Sequence, residues 1–232
     1  MSMMVPGISR HLQDRSPRHR FIPMLRSVLA LCFLTVIALS QEGSGVEKHF
    51  REGVEAFFAA KPKESVAAFD KMIELEPKAK PQLWQRGLSL YYTGDFKAGR
   101  EQFEVHQTVN PNDVENAAWH FICVARLEGV EGAKKQLIPI EGDGRVPMKE
   151  VHDLFAGKGD VEAVLKAADT GDGERHRNQM CYAHLYLGLY FEALKDDAKA
   201  KEHMLKAAKD FSMDHYMGKT AQVHVKVRGW EK

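Results

Sequence analysis

Residues 83–113 read LWQRGLSLYYTGDFKAGREQFEVHQTVNPND, and this stretch decides the fold. Apolar residues recur at helical spacing up to Thr93, and again after the Gly94-Asp95-Phe96 turn. Pro111 ends the second segment, because proline has no backbone donor and its ring clashes with the preceding turn. The stretch therefore predicts a pair of helices joined by a short turn.

The same pattern occurs 34 residues earlier in the chain. The positions that match at this offset are Phe50 with Trp84, Gly53 with Gly87, Phe69 with Phe103, and Pro77 with Pro111. A glycine inside a helix costs about 1 kcal/mol relative to alanine, so we expect the second helix of each pair to approach closely at Gly53 and Gly87. Phe69 and Phe103 are predicted to fill the gap between neighbouring pairs.

This period, the aromatic first helix, the turn at Gly94 and the Asn110-Pro111-Asn112 exit resemble the tetratricopeptide-repeat (TPR) family. The resemblance implies an all-α solenoid of helix-turn-helix repeats, whose stacking creates a concave binding surface. If Trp84 stands at the family's tryptophan position, the turn is one residue short. The register of the first helix is therefore open by one residue.

Later segments predict more helices of the same domain, residues 41–232. Repeats are expected at about 46–79 and 80–113, followed by a degenerate region at 114–170, a better repeat at 177–211 and a C-terminal capping helix at 213–232. Within the degenerate region, short helices are predicted near residues 119–127, 132–138, 151–155 and 161–168. The alternation from Val223 to Val227 is equally typical of a strand.

Residues 1–40 are predicted to be a leader for export. The apolar run from Val28 to Leu39 is shorter than the roughly 20 residues that cross a membrane, and arginines precede it. Small residues at Ala38 and Ser40 favour cleavage before Gln41. Translation could start at Met1 or at Met24. Cys32 is a poor lipid-attachment site, because bulky Leu31 precedes it and the apolar run continues beyond it.

The order of segments from about residue 46 to 208 also resembles the bacterial envelope lipoproteins of the NlpI type. That resemblance implies an envelope scaffold that recruits proteases or peptidoglycan hydrolases. The poor lipid-attachment site favours a soluble periplasmic or secreted form without a membrane span.

Composition argues against several other classes of function. The net charge of +1 provides no field that would attract nucleic acid. The three cysteines and 11 histidines show neither paired zinc-ligand spacing nor an HExxH pattern, so we expect no metal and no cofactor. His120 and Cys123 share a helix face, but no third catalytic group is visible near them in the sequence.

The leading hypothesis is therefore a noncatalytic adaptor that binds a protein or an extended peptide. Spacing along the first helices predicts that its binding groove includes Gln85, Arg86, Tyr92 and His120, with Tyr92 as the aromatic anchor. One alternative is a hydrolase with a site in the irregular segment 140–170. The residues available there are Asp143, Glu150, His152, Asp153 and Asp160. Another alternative is a purely structural component of an envelope assembly.

Overall fold

A computed structural model describes residues 45–231, and all the regular secondary structure in this range is helical. The prediction of an all-α fold is confirmed. The predicted leader, residues 1–40, lies outside the described residues. Among the described residues, no helix has both the length and the apolar character needed to cross a bilayer.

The first half of the described chain contains regular helix pairs. Helix α1 covers residues 45–58, and the next helices are α2 (Pro62–Leu75), α3 (Trp84–Thr93) and α4 (Phe96–Gln107). A short 3-10 helix, Pro77–Gln82, lies between α2 and α3. Helix α2 packs against α3, and α3 packs against α4.

The second half has shorter helices around two long ones. Helices α5 (Val114–Glu128) and α6 (Val130–Lys135) are followed by α7 (Met148–Phe155) and α8 (Val161–Ala168). The chain then forms α9 (Gly173–Ala193), α10 (Asp197–Leu205) with a π-helical extension (Lys206–Asp210), and α11 (Tyr216–Val227). The helices predicted near residues 151–155 and 161–168 are confirmed as α7 and α8.

Local sequence signals account for the sharp turns between helices. Gly94 ends α3 with φ = 85°, a left-handed conformation that glycine adopts without steric cost. The Asp95 side chain then accepts a hydrogen bond from the Ala98 amide at 3.1 Å and so caps α4. Asp160 and Asp196 cap α8 and α10 in the same way. An aspartate beside a turn therefore marks the start of several helices here.

Helix pairs are held together by an aromatic or thioether side chain that packs on a glycine 16 residues earlier. A Cβ atom added to Gly53 would lie 2.7 Å from the Phe69 ring, and one added to Gly87 would lie 2.6 Å from the Phe103 ring. The predicted close approach at both glycines is confirmed. Gly188 on α9 has the same relation to Met204 on α10, with 2.7 Å to the methyl carbon. The pair α9–α10 is thus packed at a glycine in the same way as the pairs α1–α2 and α3–α4.

Helix α5 is the most buried helix of the central region. Its side chains from Val114 to Val124 are all buried, and it contacts α3, α4, α6, α7 and α9. Trp119, only 1% exposed, packs edge-on against Tyr91 at 5.7 Å and Tyr92 at 6.1 Å. This helix joins the regular pairs to the irregular helices of the middle segment.

The C-terminal segment forms a helix, so the alternative of a strand at residues 223–227 is wrong. Helix α11 contacts α9 and α10, the last regular pair. It also reaches the start of the described chain, where the Tyr216 ring stacks on Phe57 at 5.8 Å and lies 4.7 Å from the rings of Phe58 and Trp84. Helix α11 therefore covers the inner faces of α1 and α3 as well as the last pair.

We predict that Gly87→Ala destabilises the fold, although alanine is the better helix former. The new methyl group would meet the Phe103 ring, which is 1% exposed and cannot move aside, and overpacking of this kind costs about 1–3 kcal/mol. Urea unfolding should measure the loss. Gly144→Ala in the loop before α7 is the control and should cost little, since a Cβ added there would have no atom within 4 Å. A neutral or stabilising Gly87→Ala would contradict the close packing.

Candidate binding cavity

A cavity of about 210 Å³ lies where α3, α4 and α5 meet the start of α11. It is lined by Trp84, Phe103, His106, Asp113, Glu115, Asn116, Trp119, Arg145, His215, Tyr216 and Met217. The exposed residues Arg145 and His215 form part of its rim, whereas Trp119 and Asn116 are buried. This volume is below the roughly 300–1,000 Å³ of pockets for drug-sized ligands, so it suits a single residue or a small group.

Aromatic side chains form one side of the cavity. Tyr216 and Trp84 meet edge to face at 4.7 Å, and Phe103 and Trp119 come from the neighbouring helices. Four aromatic rings in one small site provide a large apolar contact area, and their faces also attract cations.

Charged side chains also line the cavity, namely Arg145 and the carboxylates of Asp113 and Glu115. Arg145 Nη2 lies 2.6 Å from Asp113 Oδ1, and Arg145 Nε donates to Asp143 Oδ1 at 2.9 Å. Arg145 Nη1 also donates to Glu115 Oε1. One guanidinium therefore pairs with three carboxyl groups, of which Asp113 and Glu115 line the cavity.

Burial makes Glu115 the unusual acid of this group. Burial raises the pKa of the Glu115 carboxyl to about 7, and the neighbouring Asp113 adds to this effect. The positive charge of Arg145 and the Tyr186 hydroxyl act in the opposite direction. An additional positive charge close to Glu115 would therefore favour the ionised form of its carboxyl group.

Three buried polar atoms of residues that line the cavity have no hydrogen-bond partner among residues 45–231: Asn116 Oδ1, Trp119 Nε1 and the Tyr216 hydroxyl. The amide nitrogen of Asn116 donates to Phe103 O at 3.1 Å and Gln107 Oε1 at 3.0 Å, which fixes the orientation of the side chain. Its oxygen is thus a fixed acceptor, and the Trp119 indole N–H is a fixed donor. Buried polar groups are normally paired, so these three atoms are exceptions, and each is enclosed by its neighbours and closed to a water-sized group.

The predicted groove residues do not come together in one site. Arg86 Nε donates to Asp70 Oδ1 at 2.7 Å and its Nη1 donates to Gln102 Oε1 at 3.2 Å, which links α2, α3 and α4. His120 is buried against Glu104 of α4, with Nε2 to Oε1 at 3.3 Å. Gln85 is 8% exposed, and its side-chain oxygen has no partner in the part of the chain that the structure describes.

Tyr92, expected to be the anchor of an open groove, is buried beneath α11. Its ring packs on Phe57 and Trp119, and its hydroxyl lies 3.1 Å from His224 Nδ1. Only 8% of the residue is exposed, so with α11 in place it offers little surface to a partner. The physical reason is that the C-terminal helix of the chain itself covers this face of α3.

A buried network holds α11 in this position. Glu192 of α9 is paired with Arg228, directly after α11, and lies 3.8 Å from Arg126 of α5. His224 Nε2 lies 3.4 Å from Glu192 Oε2, while its other ring nitrogen contacts Tyr92. Burial, followed by the charges of Arg228 and Arg126, holds the pKa of His224 well below its usual range. His224 is therefore a neutral link between α3 and α9.

The acids and the histidine of the alternative hydrolase site are engaged separately. Asp143 pairs with Arg145, His152 Nε2 donates to Ile138 O at 3.0 Å, and Asp153 pairs with Lys149 at 2.6 Å. Asp160 caps α8 through a bond from the Ala163 amide at 2.8 Å. Asp143, His152, Asp153 and Asp160 thus each have a structural partner, and the geometry does not favour this alternative.

Within residues 45–231, no group of three or more His, Cys, Asp or Glu side chains has the arrangement of a metal site. Cys123 and Cys181 are buried free thiols. Burial raises the pKa of the Cys181 thiol to about 11 and raises that of Cys123 further. A Cys123 nucleophile with His120 as its base is therefore disfavoured, because the thiolate is the reactive form.

No pattern in the sequence indicated that Glu115, Asn116, Arg145 and Tyr216 line one cavity. One partial signal was present, since Asp113 ends the predicted exit of the second repeat and could have been expected beside a helix start. Nothing local relates Arg145 to Glu115, which is 30 residues away. No model of a known protein family matches this chain.

We predict that Tyr92→Ala destabilises the protein by about 3–5 kcal/mol, as removal of a large ring from a packed core does. Tyr92→Phe retains the ring and loses only the bond to His224, so it should cost about 1 kcal/mol. Urea unfolding of both variants measures the difference. If Tyr92→Ala cost less than about 1 kcal/mol, α11 would not be packed on Tyr92 as described.

A second prediction concerns the pH dependence of stability. Because the folded pKa of Glu115 is about 7 and its ordinary value is 4.5, the folded state binds more protons than the unfolded state between these pH values. The contribution of Glu115 to the free energy of unfolding must therefore decrease as the pH rises from 4.5 to 7.

Glu115→Gln should remove this decrease, so the stability difference between the wild type and the variant should shrink or reverse in sign with rising pH. Urea unfolding across this pH range provides the measurement. Glu131→Gln on α6 is the control, because Lys134 lowers the pKa of that exposed carboxyl. Parallel pH profiles for the wild type and Glu115→Gln would show that Glu115 does not titrate in this way.

Proposed function

We propose that this protein is an exported, noncatalytic adaptor that binds a segment of another protein in the cavity between α3, α4, α5 and α11. The observation that carries the proposal is a cavity in which four aromatic side chains and the paired charges of Asp113, Glu115 and Arg145 line the same small space. Such a site has the features of a binding pocket: apolar area for affinity and a few fixed polar groups for orientation.

The repeated helix pairs also support a binding role. Stacked pairs of the TPR type commonly serve as protein-binding surfaces, and the packing of Gly53 and Gly87 on Phe69 and Phe103 is consistent with such pairs. Export to the periplasm or to the outside of the cell is part of the proposal on the basis of the leader sequence alone. A role in recruiting proteases or peptidoglycan hydrolases is proposed from the resemblance to NlpI-type proteins.

Affinity purification from the envelope fraction of the native host, with quantitative mass spectrometry, tests the adaptor proposal. Trp84→Ala removes a half-buried aromatic wall of the cavity and should weaken partner capture by about thirtyfold, as expected for a hot-spot aromatic worth about 2 kcal/mol. Leu75→Ala is the control, since Leu75 is 50% exposed on α2 and does not line the cavity.

The two alternatives give different results in the same experiment. A stoichiometric complex that is insensitive to Trp84→Ala would support a structural component of an envelope assembly. Turnover of a substrate by the purified protein, without a captured partner, would support the hydrolase. Circular dichroism must show that Trp84→Ala remains folded, because Trp84 also contacts Tyr216.

A further inference from the structure

A groove of about 560 Å³ lies where the ends of α5 and α9 meet the starts of α4 and α6. We propose that this groove docks a segment of a partner protein in which acidic side chains adjoin apolar ones. None of its lining residues lines the cavity between α3, α4, α5 and α11. The groove would therefore be a second docking surface, beyond the one in the proposed function.

Most of the groove wall is apolar. The apolar lining residues are Phe96, Ala125, Val130, Ala193 and Leu194. Leu194 is 42% exposed, although it stands within this wall. A partner side chain that enters the groove would remove this apolar surface from water, which is favourable in proportion to the area covered. The wall therefore favours a partner with apolar side chains.

The charged residues of the lining, Arg126 and Lys195, are both cations. Arg126 Nη2 lies 3.8 Å from the buried Glu192 carboxylate, which is already paired with Arg228. Lys195 forms no ion pair with any residue that the structure describes. The neighbouring acid, Asp196, caps α10 instead. The positive charges on the groove are therefore only partly neutralised, and they complement the carboxylates of an acidic partner.

Lys195 has a backbone conformation that glycine adopts more easily. Its φ is 61°, and the two backbone hydrogen bonds that end α9 there repeat those that end α3 at Gly94. Gly94 takes this conformation without steric cost because it has no Cβ atom, whereas a lysine is strained in it. The turn thus gives no reason for a lysine at this position, and the groove that it lines does.

The open shape of the groove favours a peptide over a lipid. Arg126, Gly129, Leu194 and Lys195 are all exposed, so an alkyl chain placed there would remain partly in water. The affinity of a fatty acid depends on how many CH₂ groups it buries. A peptide needs only one or two covered side chains, and its carboxylates can form charge-assisted hydrogen bonds with the two cations.

Synthetic tetrapeptides with both ends blocked test this chemistry on the wild-type protein. Glu-Leu-Glu-Leu has both proposed features, Gln-Leu-Gln-Leu lacks the carboxylates, and Glu-Ala-Glu-Ala lacks the large apolar side chains. Gln-Leu-Gln-Leu with a free C-terminus and decanoate represent two other sources of a carboxylate beside an apolar group, a chain end and a lipid. NMR titration measures each affinity and follows the backbone amide resonances of Val130 and Leu194.

We expect blocked Glu-Leu-Glu-Leu to bind at least about tenfold more tightly than each of the other four probes, because hydrogen bonds to charged groups and burial of large apolar side chains both contribute. It should also shift the Val130 and Leu194 resonances. Equal affinity for blocked Gln-Leu-Gln-Leu, equal or tighter binding of the free C-terminus or of decanoate, or no binding of Glu-Leu-Glu-Leu would overturn the proposal.

Variants of Lys195 separate binding from folding. Lys195→Gln and Lys195→Gly both remove the charge, and each should weaken Glu-Leu-Glu-Leu at least about tenfold. Lys195→Gly should also raise the midpoint of urea unfolding, because it relieves the backbone strain. Ala60→Gly is the matched control: Ala60 has φ = 60° after α1 and does not line the groove, so this change should raise the midpoint without altering the affinity.

Both Lys195 variants binding Glu-Leu-Glu-Leu like the wild type would show that the acidic segment is not held in this groove. Trp84→Ala separates the groove from the cavity, because Trp84 lines only the latter of the two. This variant should bind Glu-Leu-Glu-Leu like the wild type. Loss of peptide binding in a folded Trp84→Ala would place the peptide in the cavity, which would overturn the second docking surface and leave the proposed function standing.

Discussion

The close approach of two helices at a glycine is the interaction on which the rest of this structure depends. At Gly87 the Phe103 ring lies where any side chain would be, and the same arrangement joins Gly53 to Phe69. Such contact needs a missing Cβ opposite a bulky side chain, and it brings the two helix backbones close together. Because interiors are close-packed, a change of one methyl group at these positions is felt by the whole pair. The positions of α3 and α4, and hence of the cavity residues Trp84 and Phe103, follow from this packing.

Buried hydrogen bonds also connect the helices that pack at these glycines. Ser65 Oγ donates to Gly53 O at 2.7 Å and lies 2.8 Å from Ser89 Oγ, so that the buried hydroxyls join α1, α2 and α3. Arg86 extends the connection to α4 through Gln102. These residues occupy the space between the helices, which is why Arg86 serves the stack of helices rather than an open surface. Satisfied buried polar groups of this kind give the packing a unique register.

Helix α11 packs on the stacked helices and completes the cavity, because Tyr216 and Met217 form part of its lining. Without α11, Tyr92 on α3 would be exposed. Helix α11 covers Tyr92 and places Tyr216 against Trp84. The buried Glu192 would be costly alone, and its pairing with Arg228 ties the end of α11 to α9. The cavity is the space that remains between the covered face and the Arg145 cluster. The Arg145 cluster and the aromatic walls of the cavity thus come from parts of the chain that are far apart in sequence.

Much of the local structure could be predicted from the sequence, because its causes are local. The 34-residue match located the close contacts at Gly53 and Gly87, and turn residues located α7 and α8. The site was harder to predict. Tyr92 was expected in an open groove, yet it is buried, whereas Trp84 is only half-buried against Tyr216. The apolar pattern of α11 predicts that one face of this helix is buried. It does not predict which helix packs on that face, because the hydrophobic effect is not directional. Only the tertiary structure decided that α11 covers α3 and that Arg145 meets Glu115, because both contacts join residues whose spacing leaves no local signal.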